Sequence, residues 1–200
     1  MSLNDRYLEI ARQLKNHDER LDKLETIEGL GGWVLIEEIV GPVATFSFTS
    51  ISSVYKHLRI LGILRSDRAT SNDPIRINFN GDYGNNYYYS RAAFFHNVGY
   101  VTAEGLGVPN IHGGYITGAN SPAFWVSPYD LFIPCYSRTV VYKVAQIIEV
   151  TFADSPTGSI FLRYCAGIWL NTNSITRIDI ATMAAGNFVA GSVLGLYGIR

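Results

Sequence analysis

The chain is poor in the residues on which most protein chemistry is built. Only Cys135 and Cys165 occur among its 200 residues. They are far apart and form no C-x-x-C, so neither a disulfide framework nor a cysteine zinc site is indicated. They could pair with each other or sit as small buried hydrophobes. The N-terminus has no charged-then-apolar leader, which favours the second reading and a chain made in a cytoplasm. The histidines are His17, His57, His96 and His112, and none lies at i, i+4 with another ligand. No metal or cofactor is therefore expected.

Charge is scarce as well. Asp, Glu, Lys and Arg make up 16% of the chain and the net charge is −1. There is no run of like charges, hence no electrostatic case for nucleic acid or for an anionic membrane. No apolar run reaches the roughly 20 residues of a membrane span. Nucleophile-elbow and Walker-type motifs are missing, and Gly105-Leu106-Gly107 lacks the strand–helix setting of a dinucleotide loop. Glu37 and Glu38 are adjacent, so on a strand they point to opposite faces. Asp82, Glu104 and Asp130 fall in expected loops and read as solvated or turn-forming carboxylates. No catalytic residue is expected, and the protein reads as a non-enzyme.

What remains is ample for a core: 48% hydrophobic and 13% aromatic residues. The first stretch has a period found nowhere else in the chain. Leu3, Tyr7, Ile10, Leu14, His17, Leu21 and Leu24 alternate spacings of four and three, a heptad seam with Tyr7, Leu14 and Leu21 at a. Ser2 and Asp5 have capping-box spacing. Glycines 29, 31 and 32 end the helix. About 26 helical residues, roughly 39 Å, would be marginal alone, and a narrow apolar stripe suits copies of itself. Arg20 at g and Glu25 at the following e suit neighbouring parallel strands, and His17 places one polar layer in the seam. Two or three strands are both open; three is favoured because no β-branched residue stands at a. The expected organisation is a helix over 1–28, a glycine hinge over 29–32 and a body over 33–200.

In the body, helical periodicity disappears. Strands are expected at Trp33–Val40, around Phe46 and Phe48, within Val54–Arg65, and at Ile75–Phe79. Residues 66–74 read as a polar loop, and Asn80-Gly81 as a tight turn. The stretch from Gly99 to Tyr129 reads as loop-rich, with short strands at Gly114–Gly118 and Ala123–Val126. Lys143–Phe152 and Ser159–Leu170 form an expected hairpin around residues 154–158, and further strands follow in 175–180 and 186–199. Eight or more strands without interleaved helices predict a mainly β fold, an antiparallel β-sandwich or jelly roll, preceded by the coiled-coil helix.

Aromatic residues supply the candidate contacts. Tyr87, Tyr88 and Tyr89 form one patch, and Tyr115 and Trp125 lie in the loop-rich middle. Such groups stack on sugars, bury at subunit interfaces or fill cores, and all three readings are open. On an alternating strand Tyr87 and Tyr89 share one face, which places at least one of the three inside.

The order of several short motifs resembles a group of tailed-bacteriophage virion proteins with β-sandwich bodies. These are Ile75-Arg76-Ile77-Asn78-Phe79-Asn80-Gly81-Asp82 with Asn86-Tyr87, Trp169, Ser174-Ile175-Thr176-Arg177-Ile178, Asn187-Phe188, Gly191-Ser192 and Leu196-Tyr197-Gly198-Ile199. The likeness spans Trp33 to Ile199. It implies a structural homotrimer located on the virion, assembled in the host cytoplasm and attached to other virion proteins. It would serve as head decoration (cement) or as a tail-fibre-like component. A receptor-binding adhesin recognising host surface glycan is the alternative.

Overall fold

A computed structural model describes residues 32–95, 99–152 and 160–199. The predicted seam (Leu3, Tyr7, Ile10, Leu14, His17, Leu21 and Leu24, with Arg20 and Glu25) lies outside the described residues. Val34–Ile199 form one compact unit.

Twelve strands are present among the described residues, and no helix. They are β1 (Val34–Val40), β2 (Thr45–Phe48), β3 (His57–Leu64), β4 (Asn72–Phe79), β5 (Tyr87–Phe95) and β6 (Gly99–Val108). Then come β7 (Ile111–Thr117), β8 (Ser127–Pro134), β9 (Lys143–Phe152), β10 (Ile160–Trp169), β11 (Ile178–Thr182) and β12 (Val193–Ile199). They build two antiparallel sheets. One has eight strands in the order β1-β12-β3-β8-β9-β10-β5-β6, the other four in the order β2-β11-β4-β7.

The inward faces of both sheets meet in a single core. Phe46, Phe48, Ile75, Ile77, Phe79, Ile178 and Ile180 come from the small sheet; Leu58, Ile60, Leu131, Ile133, Ile147, Leu194 and Leu196 from the large one. Alternation explains the small sheet. Phe46 and Phe48 are buried while Thr45 and Ser47 are not. Each fully buried side chain of this size contributes about 1.5–3 kcal/mol, so the face, once formed, fixes its own register. Two glycines set the spacing between the layers. A Cβ on Gly167 would come within 2.4 Å of Ile111, and one on Gly114, at φ +95°, within 2.7 Å of Glu149.

Several expectations are corrected. The segment 66–74 is not all loop: β4 begins at Asn72, and Asp73 is buried, paired with Arg68 at 3.0 Å. Gly99–Tyr129 is strand-rich rather than loop-rich, carrying β6, β7 and the start of β8. Residues 123–126 form no strand. Asn80 and Gly81 do make a tight left-handed turn, at φ 52° and 67°, but it closes no hairpin. β4 pairs with β11 and β7, and the chain after the turn crosses to the large sheet. The β9–β10 hairpin is as expected, paired from Phe152–Ile160 to Lys143–Trp169.

Candidate interaction surface

The outward face of β10 is apolar where a solvated strand would be polar. Ile160, Leu162, Tyr164 and Ile168 are exposed, and Phe161, Arg163, Cys165 and Trp169 point inward and are buried. Register carries the outer row across the sheet. Tyr164 stands opposite Ala92 and Ile148, Leu162 opposite Phe94 and Val150, and Ile168 opposite Tyr88 and Val144. Leu106 of β6 continues it beside Tyr88 and is 66% exposed. Antiparallel strands normally keep apolar residues on the core side alone; apolar residues on both faces mark strands covered twice. Contiguous exposed apolar patches larger than about 300–600 Å² are unusual on monomers.

Toward β8 and β3 the same face carries a paired charge. Arg59 donates to both carboxylate oxygens of Asp130, from Nε at 2.9 Å and Nη2 at 2.5 Å. The hydrogen bonds to Asp130 hold the guanidinium even above its usual range, despite some desolvation. Paired in this way, the two charges cost less to cover than either would alone.

Beneath β10 lies the polarity that its outer face lacks. Arg163, 5% exposed, donates from Nη1 to Glu149 Oε1 at 3.0 Å and also to Thr151 Oγ1. Glu149 is 1% exposed; its Oε1 also accepts the Tyr115 N–H at 3.1 Å, and its Oε2 has no hydrogen-bond partner. Burial raises its carboxyl to about 7 in spite of Arg163. His112 packs between Tyr89 and Tyr115, with Nε2 3.2 Å from Arg91 Nη1. Its Nδ1 faces the Gly114 N–H at 3.1 Å. Burial, then the Arg91 and Arg163 charges, lower it to about 4, so the ring is neutral near pH 7.

The aromatic candidates separate. Tyr87 is core: it is fully buried, stacks on Trp169, and its hydroxyl donates to the Asp82 carbonyl at 3.0 Å while accepting the Phe79 N–H at 3.0 Å. Burial pushes that hydroxyl to about 12. Tyr87 therefore drops out as a contact residue. Tyr88 is 38% exposed on the outer face, Tyr89 is half-buried against His112, and Tyr115 is half-buried under Arg91 and Arg163. Trp125 is half-buried and packs on Phe152 at 5.0 Å.

Beside Trp125, the sequence reading missed Phe124, which is 97% exposed. Its loop is braced from below. Arg65 donates to the carbonyls of Pro122 and Trp125 from Nη1, each at 2.7 Å, and to that of Ser121 from Nη2 at 2.8 Å. An exposed ring on a fixed loop is the kind of anchor that protein interfaces use.

The three carboxylates expected in loops lie on separate elements, Asp82 in a turn, Glu104 on β6 and Asp130 on β8. Asp82 accepts the Trp169 indole N–H at 2.7 Å, the Gly84 N–H at 2.9 Å and the Asn86 amide. Burial opposes its charge, but these hydrogen bonds outweigh burial and hold the carboxyl below its usual range. Asp130 pairs with Arg59, and Glu104 lies on β6 opposite Ser90. Cys165 is buried, Cys135 half-buried, and both are free thiols. Among the described residues no three His, Cys, Asp or Glu side chains form a metal-binding group. No family model matches the chain, and no curated protein matches it.

Proposed function

We propose that this is a non-enzymatic, homotrimeric structural protein of a bacteriophage virion, held on the particle as a decoration or fibre-base component. The observation that carries the reading is the apolar outer row of β5, β9 and β10, continued on β6 at Leu106. Strands apolar on both sides need a second cover, and a sister copy supplies one whose apolar surface matches. The heptad pattern at residues 3–24 argues for self-association independently of that face.

The strand order supports a jelly-roll body. Setting aside the hairpins β5–β6 and β9–β10 leaves β1-β12-β3-β8 against β2-β11-β4-β7. In chain order this is 1-8-3-6 against 2-7-4-5, the two interlocked Greek keys of a jelly roll, an architecture shared by capsid and lectin domains. The two hairpins then extend one sheet sideways and carry its row of exposed apolar residues, Tyr88, Phe94, Val144, Ile148, Leu162, Tyr164 and Ile168 among them. A fold does not fix a function; the likeness in motif order and the surface together favour assembly over catalysis.

Light scattering on the full chain tests the oligomer, with three chain masses expected. A monomer at micromolar concentration that also stays single on the particle overturns it. Copy number per particle separates the two structural jobs: hundreds indicate cement, a few to tens indicate a fibre. The exposed Phe124 beside Trp125 keeps the glycan adhesin as a second reading. A glycan array that stays blank while the protein still binds particles removes it.

A further inference from the structure

Between β5, β6, β7 and β10 lies a cavity of about 230 Å³, lined by Arg91, Ala93, Val101, Thr102, Tyr115 and Arg163. Its most prominent feature is two guanidinium groups on one ring. The Arg91 Cζ lies 5.0 Å and the Arg163 Cζ 4.5 Å from the centroid of Tyr115. Each guanidinium carries five N–H donors. Among the described residues, Arg163 spends only Nη1 on hydrogen bonds, to Glu149 and Thr151. Among the described residues, Arg91 has one contact in hydrogen-bond range, from Nη1 to the His112 ring.

That last contact is poor. If His112 Nδ1 accepts from Gly114, the neutral ring carries its proton on Nε2, and an N–H then faces the Arg91 N–H. If Nε2 accepts from Arg91, the mismatch moves to Gly114. One neutral ring cannot satisfy both donors. The charges are equally unbalanced. Two fixed cations face one carboxylate, Glu149, which lies behind Arg163 and whose proton is held up to about 7. Two cations held together in a partly dry site are costly unless an anion joins them.

We propose that this cavity binds the carboxylate of a small organic acid, such as a sugar acid, between Arg91 and Arg163. The planar fork of each guanidinium matches a carboxylate in a way that a spherical anion cannot. Ala93 and Val101 supply apolar wall for the carbon skeleton beside the acid group, and the volume suits a ligand of about one sugar ring. The proposal does not rest on the assembly reading: Arg91, Arg163 and Tyr115 lie on the core side of β5, β10 and β7 rather than on the apolar outer face.

The test is a titration of the full-length protein, followed by amide NMR shifts of β5, β7 and β10, with glucuronate, glucose and sulfate as probes. Glucuronate is expected to shift these amides saturably while glucose does not. Arg91→Met keeps the aliphatic stem on a partly exposed residue and should weaken glucuronate binding about tenfold or more, the worth of a charge-assisted hydrogen bond. Val101 is 54% exposed. Val101→Glu puts a tethered carboxylate at the mouth and should abolish binding with the rest of the spectrum unchanged. The proposal is overturned if glucuronate produces no saturable shift in the wild type, if sulfate binds as tightly as glucuronate, or if both variants bind as the wild type does.

Discussion

The outer faces of the two sheets obey opposite rules. On the small sheet, Ser47 donates to Asp179 at 2.7 Å, Arg177 Nε donates to both Asp179 oxygens at 2.8 and 3.0 Å, and Asn78 donates to the carbonyls of Asp82 and Pro109. β2 there reads apolar-in and polar-out, and Asn78 and Asp179 are buried with partners at hand. On the large sheet, β10 reverses the rule, with Leu162, Tyr164 and Ile168 outside and Arg163 inside. The contrast between a polar small-sheet face and an apolar large-sheet row is the basis for placing the proposed neighbour on the large sheet.

Matched substitutions break this comparison most directly. Tyr164→Asp on the large sheet should convert the proposed trimer wholly to smaller species, because a charge covered without a partner costs several kcal/mol per interface. Thr45→Asp, at a half-buried position on the small sheet, should leave the mass unchanged by light scattering. Equal behaviour of the two would erase the distinction between the faces. Leu14→Asp asks separately whether the heptad stretch takes part: loss of the trimer with the sheet face intact would assign assembly to the seam.

The buried pair comes next. Arg163→Met leaves Glu149 without its ion-pair partner and should cost about 3 kcal/mol in urea unfolding, the low end for a broken buried pair because the carboxyl can take up a proton. Asp179→Asn on the half-open small-sheet network should cost about 1 kcal/mol.

A subtler prediction concerns pH. The Glu149 carboxyl rises from 4.5 to about 7 on folding, so the folded state holds its proton longer, and stability falls as pH rises across that interval. His112 drops from 6.5 to about 4, so the unfolded state takes a proton first, and stability falls as pH drops through that interval. The two slopes cancel between about 4.5 and 6.5, leaving stability nearly flat there. Glu149→Gln should expose the histidine slope, with unfolding midpoints that climb with pH from about 4 to 6.5. His112→Asn should expose the opposite slope from about 4.5 to 7. Arg91, Arg163 and Cys165 belong to the same cluster, and burial raises the Cys165 thiol to about 12, so it stays neutral across this range. The smallest expected effect is that of Phe124→Ala, within about 0.5 kcal/mol of wild type; any larger effect on particle binding would make that ring a contact.

Much of the fold could be read from the sequence wherever alternation was clean. Phe46 and Phe48, Ile75 to Phe79, and the β9–β10 hairpin all carry the period of a strand. β6 was missed because Gly99, Gly105 and Gly107 break its pattern, and as an edge strand it takes its hydrogen bonds from β5 alone. Asp73 misled because polarity read as exposure, whereas its charge is met by Arg68. The Glu149–Arg163 pair was within reach. Strands folding symmetrically about position 156 put these two residues opposite each other, and the lone charge of β10 facing a glutamate in the middle of β9 should have been read as a partnership. Phe124 gave no such sign, since no periodicity distinguishes an exposed ring from a buried one in a loop. The apolar outer face was visible only as two strands that were apolar throughout; which side lacked cover required the layers themselves.

The first and last strands of the body lie side by side, Val34 against Gly198 and Val40 against Val193. Tension applied between positions 34 and 199 would therefore act on one end of a single ladder and peel it bond by bond, as a zipper opens, instead of shearing all its rungs at once. In the proposed assembly, a load passed between copies across the broad sheet would bypass that weak line. For a component exposed to internal pressure or to the drag of a moving particle, the direction of pull would then decide how long the fold survives.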